Sequence, residues 1–422
     1  MARKAQTIFI QIASYRDPQL VPTIEDMLRN AKRPQNLSIG ICRQYHPDDE
    51  FDNLDQYSSD KRFKIIDVLY NETKGACWAR HQVQQLYEGE MYTLQLDSHM
   101  RFVKNWDTIL IAMLRQLQDA GYPKPLLTAY APSYDPANDP AGRKQEPWRM
   151  NFDRFIPEGA VFFIPETIPN WEAIDAPVPA RFYSAHMTFT LGEFSTEVQH
   201  NPEYYFHGEE ISITVRAYTH GYDLFHPHRA VIWHEYTRKG RTKQWDDDKE
   251  WVNKNVKSHL TNRKLFGMDG ETQEGHEGEY GFGTVRTLED YEKYAGLSFV
   301  KRAIQQYTMD KKYPPNPGPN ELGGVQAWKD SFIPIFKHCI DIDRGDVSEN
   351  DYDFWAVAFH DKHDNTMYRR DADKAEIERM MNDADGYCKV WREFQTETKP
   401  DYWVVWPHSE SKDWCPRLTG KL

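Results

Sequence analysis

The chain has 422 residues and a formal net charge of −13, long enough for a large core and for more than one domain. An acidic balance of this size argues against nucleic acid as the main partner, because phosphate binding calls for a basic surface. The sequence contains no run of about 18 apolar residues of the kind that spans a bilayer. Its start, MARKAQTIFIQIASYRD, alternates like a strand and meets Arg16 and Asp17 too soon for a secretory signal. Five scattered cysteines without a C-x-x-C pair fit reduced thiols in a cytoplasmic protein.

In chain order, TIFIQIASY (7–15) reads as a buried first strand, and DPQLVPTIEDMLRNA (17–31) as a helix with Asp17 placed to cap and Pro18 in the first turn. LSIGICRQY (37–45) and RFKIIDVLY (62–70) read as strands. KGACWARHQVQQLYE (74–88) is expected to be a helix with Ala76, Ala79, Val83 and Leu86 on one apolar stripe. The strand MYTLQL (91–96), the helix WDTILIAMLRQLQDAG (106–121) and the strand PLLTAYAP (125–132) follow. Strands alternating with helices predict an α/β fold around a mostly parallel sheet, whose ligands belong at the carboxyl ends of the strands. Ser14 to Asp17, Asp67 and Asp97 to His99 all fall near such ends.

From about 140 to 200 the pattern is mixed strand and loop. GEEISITVRAYTHG (208–221) reads as a helix stopped by Gly221, and DLFHP and AVIWHEY (223–236) as short strands. FGMDGETQEGHEGEYGFG (266–283) is rich in Gly and Glu, and Gly267, Gly270, Gly275, Gly278, Gly281 and Gly283 suit a mobile lid over a site that must exclude water; the alternative is an inert surface insertion. KKYPPNPGPNELGG (311–324) is the best boundary, since its prolines break helix and strand alike. The expected domains are therefore 1–305, a linker 306–325, and a mixed α/β or β-rich accessory module 326–422. In that module FWAVAFHD (354–361) and YWVVWPHSES (402–411) read as strands and KAEIERMMNDA (374–384) as a helix. It is also the candidate surface for homo-oligomerisation.

LQLDSHMRF (94–102) carries the chemistry. In extended backbone Asp97 and His99, at i and i+2, point to the same side and can share a divalent ion. The competing reading makes Asp97 a helix cap and His99 a surface residue. A mixed oxygen and nitrogen shell suits manganese better than magnesium, and a third protein ligand is needed. His234, at the end of VIWH, is the choice, with His226 and His228 as competitors. Glu209 and Glu210 open a helix, where acids are favoured by the macrodipole but could also hold a hydroxyl. NETKGACWAR (71–80) joins strand to helix through Gly75, whose following amides suit an anion, and Arg80 one turn later could bind a diphosphate.

These stretches together, LQLDSHMRF, NETKGACWAR, FHGEEISITVRAYTHGYDLFHP, WHEYTR and YGFGTVRTLEDYEKYAGLSF, resemble the cytoplasmic polypeptide hydroxyproline α-N-acetylglucosaminyltransferases and their bacterial relatives over roughly residues 6 to 300. More distantly the chain resembles the mucin-type polypeptide N-acetylgalactosaminyltransferases, whose Asp-x-His metal motif sits in a GT-A fold. Their Trp-Gly-Gly-Glu-Asn stretch is similar to Phe206–Glu210, with an Arg seven residues after the first Glu, here Arg216. Their later His-Val-x-Arg is similar to His234–Arg238 with one residue inserted. The resemblance implies a GT-A catalytic domain and retaining transfer of N-acetylglucosamine from UDP-GlcNAc to a protein, peptide or glycan acceptor. It implies Mn2+, with Mg2+ or Co2+ as substitutes, held by Asp97, His99 and His234. Ser14, Tyr15, Arg16, Asp67, Gly75, Arg80 and Asp97 would line the nucleotide sugar, and Glu209, Glu210 and Arg216 would be catalytic. A metal-dependent hydrolase using the same Asp/His/His set, and a non-catalytic sugar- or protein-binding module, are the alternatives.

Overall fold

The computed structural model describes residues 6–156, 158–237, 240–273, 278–382 and 386–422. Its first half alternates strand and helix: β1 (Ile8–Tyr15), α1 (Leu20–Asn30), β2 (Leu37–Tyr45), β3 (Phe63–Leu69), α2 (Ala76–Gln84), β4 (Tyr92–Asp97), β5 (Met100–Phe102), α3 (Trp106–Asp119) and β6 (Pro125–Thr128). A hairpin follows, β7 (Trp148–Phe155) and β8 (Val161–Thr167), then β9 (Val178–Pro179), β10 (Met187–Leu191) and the short α4 (Phe194–Glu197). Next come α5 (Glu209–Thr219), β11 (Asp223–His226), β12 (Ile232–His234), α6 (Gln244–Asp247), α7 (Trp251–Phe266) and α8 (Leu288–Ala295).

Eight strands form one sheet in the order β3-β2-β1-β4-β10-β6-β11-β9. β1 to β4 pair in parallel, as do β6 and β11, while β10 runs antiparallel between β4 and β6. Side chains on a strand alternate between faces, and both faces of β1 are apolar. Ile8, Ile10 and Ile12 join a core with Leu20, Ile24 and Met27 of α1 and Leu110 and Leu114 of α3. Phe9 turns the other way, onto Ala79 and Val83 of α2. On β6 the same division sends Leu127 to the α1/α3 side and Leu126 to Ile213 and Ala217 of α5. Helices thus cover both faces, the mostly parallel α/β architecture read from the sequence. The parallel strands β1 and β4 end side by side, with Ala13 opposite Asp97.

Two regions differ from expectation. α7 is a sixteen-residue helix without an expected apolar stripe, because the residues it buries include Ser258, His259 and Asn262. They act by hydrogen bonding: Ser258 Oγ accepts from Tyr205 N at 2.9 Å, and Asn262 accepts from Tyr204 Oη at 2.7 Å and donates to Gly208 O at 3.1 Å. The 306–325 segment, expected as a linker, is packed, with the buried Arg181 donating to Asn316 Oδ1 at 2.7 Å and to the Lys312 carbonyl. Strand Ala303–Gln305 pairs with strand Phe332–Asp343, so one small sheet runs across the expected boundary.

Beyond it, Phe332–Asp343 pairs with Tyr387–Gln395, and Tyr352–His360 with Tyr402–Ser409, all antiparallel. The helix Lys374–Met381 closes a core of Ile340, Trp355, Val357, Ile377, Val390 and Val405. The last two positions of the helix expected at 374–384 lie outside the described residues. No disulfide joins the cysteines among the described residues, and none of the described helices is long and apolar enough to cross a membrane.

Candidate active site

β4 ends at Asp97, and the chain turns at once into β5, which pairs antiparallel with β12 so that Met100 faces His234. Glu235 N donates to His99 O at 3.1 Å. This register carries a histidine 137 positions away to the Asp97–His99 turn. His99 Nε2 and His234 Nε2 are 2.9 Å apart, and Asp97 Oδ2 lies 3.2 Å from His234 Nε2 and 3.8 Å from His99 Nε2. Ligands at right angles about 2.1 Å from one ion stand roughly 3.0 Å apart, so these separations suit a single divalent cation. Two imidazoles and a carboxylate form the donor set of a borderline metal rather than of magnesium. His234 Nδ1 is buried without a hydrogen-bond partner among the described residues, which leaves Nε2, turned into the group, as its polar contact. Among the described residues this is the one cluster of three or more such side chains with metal-binding spacing. The competitor His226 is engaged elsewhere, its Nδ1 2.7 Å from Thr128 O and its Nε2 accepting from Met150 N at 3.2 Å. His228 is not part of the cluster.

Asp97 and His99 of this cluster line a cavity of about 370 Å3 together with Tyr15, Arg80, Glu209 and Glu210. Arg80 leaves α2 and forks, its Nη2 3.1 Å from Asp97 Oδ1 and its Nη1 3.2 Å from Glu209 Oε1. Burial opposes ionisation of Asp97, but the His234 hydrogen bond and Arg80 outweigh it and hold the carboxyl well below its ordinary range. Glu210 is the reverse case. Burial first, then the charge of Glu209, push its carboxyl up to about 8. Its Oε1 accepts from Ala185 N at 3.0 Å, and Tyr130 Oη lies 2.9 Å from its Oε2.

Two glycines set the approach of the helices. Gly75 holds φ at +123°, and a Cβ there would stand 2.6 Å from the Tyr205 carbonyl oxygen. The first amide of α2, Ala76 N, donates to that oxygen at 3.0 Å, so it is already satisfied by protein. Gly208 precedes α5 with φ +93°, against the Asn262 side chain.

Other expected residues lie outside the cavity wall. Ser14 is buried, and its carbonyl accepts from Gln44 Nε2 at 3.1 Å. Arg16 adopts a left-handed backbone, φ 45°, and pairs with Asp49 at 2.7 Å and Asp247 at 2.9 Å. Asp67 pairs with Arg43 at 2.6 Å. Arg216 is fully buried, donating to Gln199 O at 2.7 Å and Gly281 O at 3.3 Å. Seven residues along a helix amount to about 10 Å, which carries Arg216 away from the cavity that Glu209 faces. Phe282 and Gly283, at the end of the 266–283 stretch, belong to that far end too: Phe282 is buried, and Gly283 N donates to Thr219 Oγ1 at 2.9 Å. None of the described residues of this stretch lines the cavity; Gly275 lies outside the described residues.

Sequence reasoning passed over three side chains here. Asp17, expected as a cap, accepts from Gln19 N through Oδ1 at 2.8 Å, while its Oδ2 stands 2.7 Å from His99 Nδ1. Arg241 donates to the same Oδ2 at 2.9 Å. His186 stacks on His234, ring centres 4.3 Å apart, and on Tyr130 at 4.6 Å. Only the position of Asp17 at a strand end hinted at its role.

The chain matches the family described as Glycosyltransferase (GlcNAc) over residues 7–66 and 52–301, more than half its length, and belongs to that family. No curated protein matches it. Among solved structures it is similar to GalNAc-T7 with UDP, GalNAc and Mn2+, at 14% identity and TM-score 0.45, covering 68% of this chain and 54% of that one. It is similar to S. aureus TarS 1-349 in complex with UDP-GlcNAc at 12% identity and TM-score 0.38, covering 57% and 61%. The mannosyltransferase PcManGT from Pyrobaculum calidifontis, in complex with GDP-Man and Mn2+, is similar at 8% identity and TM-score 0.36, covering 57% and 59%. The chain therefore spans between 54% and 61% of the length of these three.

Proposed function

We propose that this protein is a manganese-dependent, retaining glycosyltransferase that moves N-acetylglucosamine from UDP-GlcNAc to a hydroxyl group on a protein or peptide. The observation that carries the reading is the convergence of Asp97, His99 and His234, the first two on the wall of a cavity, in a chain of the GlcNAc glycosyltransferase family. These three residues would hold the ion, which as a Lewis acid supplies positive charge for the departing diphosphate.

The remaining steps belong to side chains. Arg80 holds Asp97 in its ligating pose and adds positive charge beside the phosphates. Tyr15 walls the nucleotide side of the cavity, while Ser14, Arg16, Asp67 and Gly75 shape the strand ends and the α2 turn behind it. Glu209, salt-bridged to Arg80, orients a sugar or acceptor hydroxyl; a carboxylate so paired is a poor nucleophile, which favours attack by the acceptor on the face that UDP leaves. Glu210, protonated near neutral pH, offers a hydrogen bond to the same region. Arg216 braces α5 rather than touching substrate. Residues 1–305 would be the catalytic domain and 326–422 an accessory module, with Trp391, Trp406 and Trp414 exposed on its sheets as the surface for self-association. The cytoplasm is the proposed location, in keeping with the thiols.

Turnover of radiolabelled UDP-GlcNAc, UDP-glucose and UDP-galactose in the presence of Mn2+ and lysate proteins tests this. UDP-GlcNAc should be used fastest, with the product in the α configuration. Preference for a donor without the N-acetyl group, or undiminished transfer after EDTA treatment, would overturn the reading.

A further inference from the structure

We propose that Asp17 is a positioning residue of the metal site: its Oδ2 keeps the proton of His99 on Nδ1 and so presents the Nε2 lone pair to the cation. The inference rests on reading Asp97, His99 and His234 as that site. Asp17 is buried, and its two oxygens face different tasks. Oδ1 accepts from Gln19 N at 2.8 Å, at the entry to α1. Oδ2 accepts from Ser98 Oγ at 2.6 Å, from Arg241 Nη1 at 2.9 Å, and stands 2.7 Å from His99 Nδ1. The middle residue of Asp97-Ser98-His99 thus orients the carboxylate that orients the histidine. Thr23 Oγ1 pins the same turn from α1, donating to Ser98 O at 2.8 Å and accepting from Met100 N at 2.8 Å.

Three groups approach His99 Nδ1, and they are not equivalent. The Ser98 hydroxyl, 3.5 Å away, directs its proton to Asp17. Arg241 Nη1 also touches Nδ1, but a guanidinium has no lone pair to accept with. The carboxylate is the remaining acceptor, and a carboxylate behind a ligating histidine fixes both ring orientation and tautomer. The competing arrangement, Arg241 donating to a bare Nδ1, would put the proton on Nε2, where it would block a metal bond.

Asp17→Asn separates the two, because the amide oxygen can keep the bond from Gln19 N while the NH2 turns the other position from acceptor to donor. An exchange of this kind leaves geometry in place and imposes the wrong histidine tautomer. In the full chain, Mn2+ binding followed by electron paramagnetic resonance, at temperatures where each variant remains folded, should weaken roughly 10- to 100-fold. Nitrogen-15 spectra of the metal-free protein should show His99 protonated on Nδ1 in the parent and on Nε2 in the variant. Ser98→Ala, which keeps the carboxylate, should bind Mn2+ within about threefold of the parent. Unchanged Mn2+ affinity in Asp17→Asn, a parent His99 protonated on Nε2, or a Ser98→Ala loss as large as that of Asp17→Asn would each overturn the assignment. Neither readout uses a sugar donor, so a protein that binds Mn2+ in this way but transfers no sugar would end the glycosyltransferase reading and leave the Asp17 assignment standing.

Discussion

Arg80 Nη2 stands 3.1 Å from Asp97 Oδ1, and the other arm of the same guanidinium reaches Glu209, so one side chain joins the carboxyl end of β4 to the start of α5. Both acids are largely withdrawn from water, and removing a buried partner leaves uncompensated charge. Arg80→Gln should lower the free energy of unfolding in urea by about 3–5 kcal/mol and reduce transfer steeply. Arg80→Lys keeps the charge but not the planar fork, and should recover part of the stability. Equal stability of Arg80→Gln and the parent would show that the fork contributes little.

The proposed metal ligands are set apart from a decoy. Asp97→Asn, His99→Ala and His234→Ala should each abolish Mn2+ binding by calorimetry, and EDTA-treated parent enzyme should regain activity on adding Mn2+. His226→Gln should leave Mn2+ affinity unchanged, because both ring nitrogens of His226 are committed to backbone groups. A His226 variant that loses the ion would contradict the geometry.

Glu210 links stability to pH. An ordinary glutamate ionises near 4.5, whereas burial and Glu209 raise this one to about 8, so between those values the folded chain keeps a proton that the unfolded chain releases. Its contribution is fully present below about 4.5 and is lost as pH rises through 8. In Glu210→Gln the amide oxygen can still accept from Ala185 N, and no proton is at stake. The melting temperature of this variant relative to the parent should therefore rise steadily from pH 5 to pH 8.5. A flat difference would mean that Glu210 ionises normally.

Gly75 concerns the backbone. At φ +123°, with the Tyr205 carbonyl 2.6 Å from where a Cβ would sit, Gly75→Ala meets both strain and collision. A destabilisation of about 1–3 kcal/mol, accompanied by lost transfer, should appear in urea unfolding and activity assays. Full activity with unchanged stability would show that the turn relaxes freely.

Strands β1 to β4, the helices between them and the Asp97–His99 pair were legible because they rest on short-range periodicity. A period of two makes a buried strand visible, and the same period sets Asp97 beside His99. The Glu209 helix start and the Gly75 turn were legible for similar local reasons. Other features depended on contacts between distant segments. His234 joins the cluster, and His226 does not, because the β5–β12 register sets His234 against Met100. Asp17 looked like a helix cap because one of its oxygens is nearly that; its second oxygen meets His99 only once β1 and β4 lie side by side. Arg216 kept its spacing from Glu209 in the sequence, but the helical rise carried it two turns along α5, where it bonds the Gln199 and Gly281 carbonyls. The α7 helix was hidden because what it buries is polar, held by hydrogen bonds to Tyr204, Tyr205 and Gly208. Local periodicity thus determined the elements and the Asp97–His99 pair, while sheet register and the burial of polar groups, which depend on which distant segments meet, decided how the cluster was completed.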